Sequence, residues 1–191
     1  MVKINNEGDK MYRGKKIILR AYKDEDIDKA YKFVNDKELI KNLSPGIGFP
    51  TTYKEEVEFI NSQKKNSKGT YDFAIEVIEN GEYIGGCGIN DVNWQTRVAI
   101  VGIMIGNKDY WNNGYGTDTM NTLIRFVFQE MNINKIRLQV YSFNKRAIRC
   151  YEKCGFEIEG ILKDEIYKEG KYYDEIVMSL FRKQWDENSL K

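Results

Sequence analysis

The stretch from Val98 to Phe156 constrains the fold more than any other part of the chain. It opens with VAIVGIMI, Val98 to Ile105, an apolar run interrupted by Gly102 alone, rich in β-branched side chains and too short to cross a membrane. Such a run predicts a strand buried on both faces. A turn follows, Trp111-Asn112-Asn113-Gly114-Tyr115-Gly116, and then a helix in which Met120, Leu123, Ile124, Val127, Phe128 and Met131 recur at helical spacing. Thr117 is placed to cap its first turn and Asp118 suits its positive end. The first turn of a helix leaves backbone N–H groups without acceptors, and glycines let the chain bend so that several converge on one phosphate. Gly114-x-Gly116 is thus spaced for a pyrophosphate, although the same glycines also suit an ordinary tight turn.

Lys135 to Tyr141 reads as a second strand, with Ile136, Leu138 and Val140 alternating against Arg137, Gln139 and Tyr141. Asn144 then caps a short helix with Ala147, Ile148, Tyr151 and Cys154 on its inward face, and Gly155 ends it where a left-handed residue is needed. The segment NKRAIRCYEKCGF, Asn144 to Phe156, resembles the signature of the Gcn5-related N-acetyltransferase (GNAT) superfamily. It is most similar to the branch that holds ribosomal-protein alanine N-acetyltransferases and spermidine acetyltransferases. The Trp111-x-x-Gly114-x-Gly116 turn resembles the same family's acetyl-CoA loop. The likeness is strongest from Ile103 to Phe156 and is consistent in element order over nearly the whole chain. Two residues depart from it. Trp111 stands where the superfamily commonly has Gln or Arg, and Ile100 stands where many relatives carry a glutamate able to act as general base.

The resemblance implies an α+β fold over residues 1–191 as one domain: a mixed, mostly antiparallel sheet of about seven strands with helices on both faces. The strand at Val98 and the strand at Lys135 would run parallel and splay apart to admit acetyl-CoA. Backbone groups of Ile103, Met104 and Ile105 would pair with the pantetheine like an added strand. The N–H groups of Asn112, Asn113, Gly114, Tyr115, Gly116 and Thr117 would hold the pyrophosphate, and Asn144 would bond the pantetheine arm. Tyr151 would stand near the thioester sulfur as general acid, with a strand N–H such as that of Met104 polarising the carbonyl. The implied co-substrate is acetyl-CoA, with no metal. The implied acceptor is a primary amine, on a polyamine-like small molecule or a peptide N-terminus.

Spacing alone favours a core aromatic on an amphipathic helix for Tyr151, and only the surrounding motif reverses that reading. For the base, the residues offer Glu76, Asp91 or a held water. Glu55, Glu56 and Glu58 beside the segment from Leu39 to Thr52 favour a polyamine, yet charges on such a helix commonly face water. An acyl-CoA-binding module without turnover is the alternative that Ile100 supports. An oxidoreductase would need its glycine turn after the first strand of a βαβ unit, which the preceding hairpins oppose.

Composition narrows the rest. Thirty basic and 29 acidic side chains leave a net charge of +1, which gives no support to a nucleic-acid or membrane partner. The absence of histidine removes the commonest general base and zinc ligand. Three cysteines, Cys87, Cys150 and Cys154, make no disulfide framework, and MVKINNEGDK has no apolar core for a signal peptide. The expected location is cytoplasmic, and a homodimer is left open. The remaining chain reads in order. The first dozen residues are polar and loose; Lys16 to Ala21 is a strand, and Asp24-Glu25-Asp26 opens a helix. Leu39 to Thr52, with both prolines, is a loop walling the acceptor site, followed by a helix with Val57, Phe59 and Ile60. Lys64 to Gly69 is a turn, and Tyr71 to Ile78 and Glu82 to Asn90 form a hairpin through Asn80-Gly81. The Gly85-Gly86-Cys87-Gly88 cluster suits a bulge or close packing, Asp91 to Arg97 turns into the central strand, and a hairpin closes the chain between Glu157 and Phe181.

Overall fold

The computed structural model describes residues 12–43, 46–63 and 71–189. The turn expected at 64–69 and all of the loose opening dozen except Tyr12, which begins a strand, lie outside them. Eight strands form one sheet in the order β1-β2-β3-β4-β5-β6-β8-β7. They are β1 (Tyr12–Arg13), β2 (Ile17–Arg20), β3 (Tyr71–Val77), β4 (Tyr83–Asn93), β5 (Val98–Ile105), β6 (Lys135–Tyr141), β7 (Glu157–Lys168) and β8 (Lys171–Phe181). The mixed, mostly antiparallel sheet is as expected; the strand beyond seven is the two-residue β1.

One junction organises the molecule. β5 and β6 are parallel neighbours, but they pair only at Val98↔Lys135, Ala99↔Ile136 and Ile100↔Arg137. β5 stays paired with β4 as far as Ile105, and β6 with β8 as far as Tyr141, so the two ladders draw the strands apart. A register shift in β4 between Ile89 and Asp91 falls opposite the point of divergence, where a bulge bends the strand. β5 is therefore not buried on both faces: Ala99 and Val101 are buried, while its other residues are half-exposed, those from Gly102 on beside the gap.

Helices cover both faces: α1 (Ile27–Val34), α2 (Lys37–Leu43), α3 (Tyr53–Gln63), α4 (Tyr115–Glu130), α5 (Lys145–Lys153) and α6 (Arg182–Ser189). The larger core sets Met120, Leu123, Ile124, Val127 and Phe128 of α4, with Ile148 and Tyr151 of α5, against inward residues of the sheet such as Ile75, Val101 and Leu138. A smaller cluster on the opposite face joins Ile27 and Ala30 of α1 and Ile60 of α3 to Ala74 and Tyr83. Ile75 and Ala74 go to different clusters because successive strand residues face opposite ways.

Several local readings change. α2 takes the first part of the expected 39–52 loop, and its start is signalled by Asp36, whose carboxylate accepts the N–H groups of Glu38 and Leu39. β4 continues to Asn93, so residues 91–93 pair with β5 and the turn shortens to 94–97. In the β3–β4 connection Gly81 alone has positive φ, at 71°, while the Asn80 side chain accepts from the Glu82 N–H. The cap of α4 is Gly114, with φ 82°, which leaves Thr117 inside the first turn. Asp118 accepts the backbone N–H groups of Lys15, Lys16 and Ile17, tying the start of β2 to α4. α6 had no sequence signal; its Trp185 ring lies 5.4 Å from that of Phe128. Asn144 does cap α5, accepting from the Ala147 N–H at 3.1 Å, and Gly155 has φ 90°.

Candidate active site

A cavity of about 1100 Å³ runs through the gap between β5 and β6 and is lined from both faces of the sheet. That position follows from the divergence of the two strands, since β5 beyond Ile100 has no neighbour on that side. All the sequence-predicted site residues except Asn113 and Tyr115 line it, and those two belong to the same turn.

The turn before α4 builds an N–H cradle. Asn112 and Gly114 both take positive φ, 61° and 82°. The first bond of the helix runs from the Asp118 N–H to the Gly114 carbonyl. Among the described residues no bond runs from the N–H groups of residues 112–117 to a protein acceptor. A methyl added at Gly116 would meet Cys150 Sγ at 3.5 Å and Ile105 Cγ1 at 3.9 Å, ordinary contacts, so packing against the protein does not explain this glycine. A bound phosphate at the helix N-terminus would. Lys16 Nζ donates to the Asn113 carbonyl at 2.8 Å and stands 5.0 Å from the Tyr115 ring centre, adding positive charge to the turn. The turn fits acetyl-CoA: a pyrophosphate there would meet N–H groups of residues 112–117 that no protein acceptor uses, and a neighbouring lysine.

Trp111 latches the turn to β5. Its indole N–H donates to the Ile105 carbonyl at 2.7 Å, and the Arg146 guanidinium lies 3.4 Å over its ring. The strand's backbone directions can be read beside it. The Met104 carbonyl faces β4, 2.0 Å from where a Cβ on Gly85 would stand, and the Gly106 N–H donates to the Ile84 carbonyl. Alternation then turns the main-chain groups of Ile103 and the N–H of Ile105 toward the gap, and gives those of Met104 to the β4 ladder.

From β6 and α5 come Asn144 and Tyr151. The Asn144 oxygen is used by the Ala147 N–H, which leaves its amide nitrogen to donate. Tyr151 is 7 % exposed and packs beside Phe156, with ring centres 6.0 Å apart. Burial, and secondarily the Cys150 and Cys154 thiols, push its phenol well above the ordinary tyrosine value. Among the described residues the one sealed side-chain polar atom without a partner is Thr119 Oγ1, so the Tyr151 hydroxyl, which no protein group bonds, opens onto the cavity. Cys150 and Cys154 are free thiols packed behind the turn, and among the described residues no cluster of three or more metal-ligating side chains occurs.

The far wall is acidic. Glu56 of α3, Asp72 of β3, Glu165 of β7 and Glu175 of β8 line the cavity, with Glu175 accepting from Gln139 Nε2 at 2.6 Å. Close approach of the glycines makes room: Gly86 admits the Tyr22 hydroxyl and Gly88 the Asp72 carboxylate, each within 2.5 Å of where a Cβ would be. Neither carboxylate considered as base lines this cavity. Glu76 is held by Arg20 and Lys23, and Asp91 is exposed at the closed end of β5 and β6, opposite Ile100. Sequence reasoning did not find Lys16, Arg146, Asp72, Glu165 or Glu175. Each acts across a long separation in the chain, and only the flanking glycines hinted at Asp72.

Comparison with known proteins gives the same fold and family. Residues 16–157 match the family model described as an acetyltransferase (GNAT) domain. An uncharacterized N-acetyltransferase of Bacillus licheniformis, p20, is 26% identical over 172 residues, covering 89% of this chain and 95% of the relative. Spermidine N(1)-acetyltransferase of Escherichia coli is 26% identical over 167 residues, covering 87% of each. The crystal structure of spermidine N-acetyltransferase from Vibrio cholerae, in complex with CoA and spermine, superposes with a TM-score of 0.79 at 24% identity, covering 89% of this chain and 98% of that one. That likeness is one of fold. The match to the family model over most of the chain, with the N–H cradle and the splayed strands, makes this protein a member of the GNAT family and an acetyl-CoA-dependent N-acetyltransferase.

Proposed function

We propose that the chain, acting as one domain, transfers acetyl directly from acetyl-CoA to a primary amine of a small cationic acceptor of the polyamine type. The observation that carries this reading is the division of charge within one cavity. Arg146, Arg149 and Lys153 line it from α5, beside the N–H cradle, and suit an anionic cofactor. Glu56, Asp72, Glu165 and Glu175 line it from α3, β3, β7 and β8, and suit a cation with more than one charge. A peptide N-terminus brings a single positive charge and would use less of that wall. The name of the Escherichia coli relative and the spermine in the Vibrio cholerae structure point the same way.

In this reading the N–H groups of residues 112–117 and Lys16 hold the pyrophosphate. Asn144 Nδ2 and the gap-facing groups of Ile103 and Ile105 hold the pantetheine. The oxyanion donor is then the Ile103 N–H rather than that of Met104, whose backbone faces β4. The neutral amine attacks the thioester carbon. A C–N bond forms, the C–S bond breaks, Tyr151 donates its hydroxyl proton toward sulfur, and the proton lost by nitrogen restores the phenol. Acetylation of a panel of diamines, triamines, tetraamines and alanine-ended peptides tests the reading by release of free CoA thiol. The polyamines should exceed the peptides in kcat/KM by at least about tenfold, since a site built for charged partners rejects those that leave its groups unpaired. Equal or better use of the peptides would overturn it.

A further inference from the structure

Three glutamates share α3, and their surroundings differ. Glu55 belongs to a capping box: its carboxylate accepts from the Thr52 N–H and hydroxyl, each at 2.7 Å, and its own N–H donates to Thr52 Oγ1. Glu58 is exposed, with Lys54 Nζ 3.9 Å away. Glu56 is 3 % exposed, one helical turn before the fully buried Ile60 and on the same inward side. Among the described residues no hydrogen bond or ion pair reaches its carboxylate, and its oxygens are not among the sealed orphan atoms. It therefore opens on the cavity, whose wall there also carries Tyr22, Phe59, Tyr83 and Asp72.

A carboxylate withdrawn from water without a counter-charge is costly, and folding alone gives no reason to keep one there. Burial pushes its pKa up. We propose that Glu56 is the seat for an ammonium group of the acceptor, and that it sets the preference for cationic acceptors; this rests on the acceptor reading above. The ammonium supplies the missing positive charge, in a desolvated setting where a charge-assisted bond is strong. Tyr22 and Tyr83 line the same cavity, and Tyr83 is close enough to Glu56 to feel its charge.

The test is calorimetric titration of spermidine into the protein–CoA complex for wild type, Glu56→Gln and Glu56→Asp. Glu56→Gln keeps the shape, removes the charge and replaces one acceptor oxygen with a donating amide. It should weaken spermidine binding by about tenfold to a hundredfold, the range for losing one hydrogen bond to a charged group. CoA affinity and melting temperature should not fall, and Glu56→Asp should recover part of the binding. Unchanged spermidine affinity in Glu56→Gln, or no spermidine binding to the wild type, would overturn the proposal. Binding that depends on Glu56 in a protein that releases no thiol would support this seat and overturn the acetyl-transfer reading instead.

Discussion

In the proposed reaction Tyr151 packs the core with its ring and meets the thioester with its hydroxyl. Because burial raises the phenol, it keeps its proton throughout the neutral range and contributes no titration to the activity profile there. Tyr151→Phe should lower kcat by about a hundredfold, the low end for a positioned proton donor, since a thiolate leaves readily and a raised phenol yields its proton reluctantly. Affinity for CoA and the melting temperature should stay near wild type; a rate kept per folded molecule would return Tyr151 to a packing role. Glu56 gives a prediction of opposite kind. Its native pKa lies above the ordinary 4.5, so the native state holds the proton more tightly than the unfolded chain, and stability is lost as pH rises from 4.5 through the native value. The other titratable groups on its wall include Tyr22 and Tyr83, both raised by burial, and the carboxylates Asp72, Glu165 and Glu175. Melting curves should show Glu56→Gln gaining on the wild type between about pH 4 and pH 7, and a constant difference would contradict this. The placement of Asn144 and Tyr151 at the cavity was legible in the sequence because one short helix and its cap carry both. Glu56 was not, because its burial depends on how α3 meets the sheet, and the sequence shows only three glutamates on one helix.

Among the elements, the turn into α4 carries the sharpest test. Gly114 is needed for its left-handed backbone, so Gly114→Ala should cost about 1 kcal/mol of stability. Gly116 lies inside the helix, where a methyl makes only ordinary contacts. Gly116→Ala should therefore melt no lower than wild type yet bind CoA about tenfold more weakly, equivalent to one charge-assisted hydrogen bond. Full CoA affinity in Gly116→Ala would move the phosphate away from this turn. The strand–turn–helix order was readable because β5 and α4 have strong apolar periodicities, whereas the extent of β4 was not. Asp91 and Asn93 are poor strand formers that pair because β5 lies beside them, and neighbours of this kind override local propensity. α2 was hidden for a related reason, its cap Asp36 lying just before a segment whose glycines and prolines suggested a loop.

At the scale of the whole molecule the sheet separates the layer of α4 and α5 from the layer of α1 and α3, and the gap between β5 and β6, where the proposed reaction would bring cofactor and acceptor together, joins them. The layer of α1 and α3 is fastened by Arg20, which pairs with both oxygens of Asp26 at 2.7 and 2.8 Å and also with Glu76, linking β2 to the start of α1 and to β3. Arg20 and Asp26 are each 3 % exposed at the side chain, so Arg20→Leu would strand a buried carboxylate and should cost about 3–5 kcal/mol in denaturant unfolding. A loss below about 1 kcal/mol would mean the pair is no better than a surface bridge. The two-faced layout was implied by the family likeness. The charge division was not, because a net charge of +1 averages over walls that different elements bring to one cavity. The most direct measurement incubates the protein with acetyl-CoA and spermidine, follows free thiol, and weighs the amine by mass spectrometry. The account predicts amine-dependent thiol release matched one for one by a singly acetylated spermidine. Thiol release no faster than without the amine, or spermidine recovered unmodified, would contradict it.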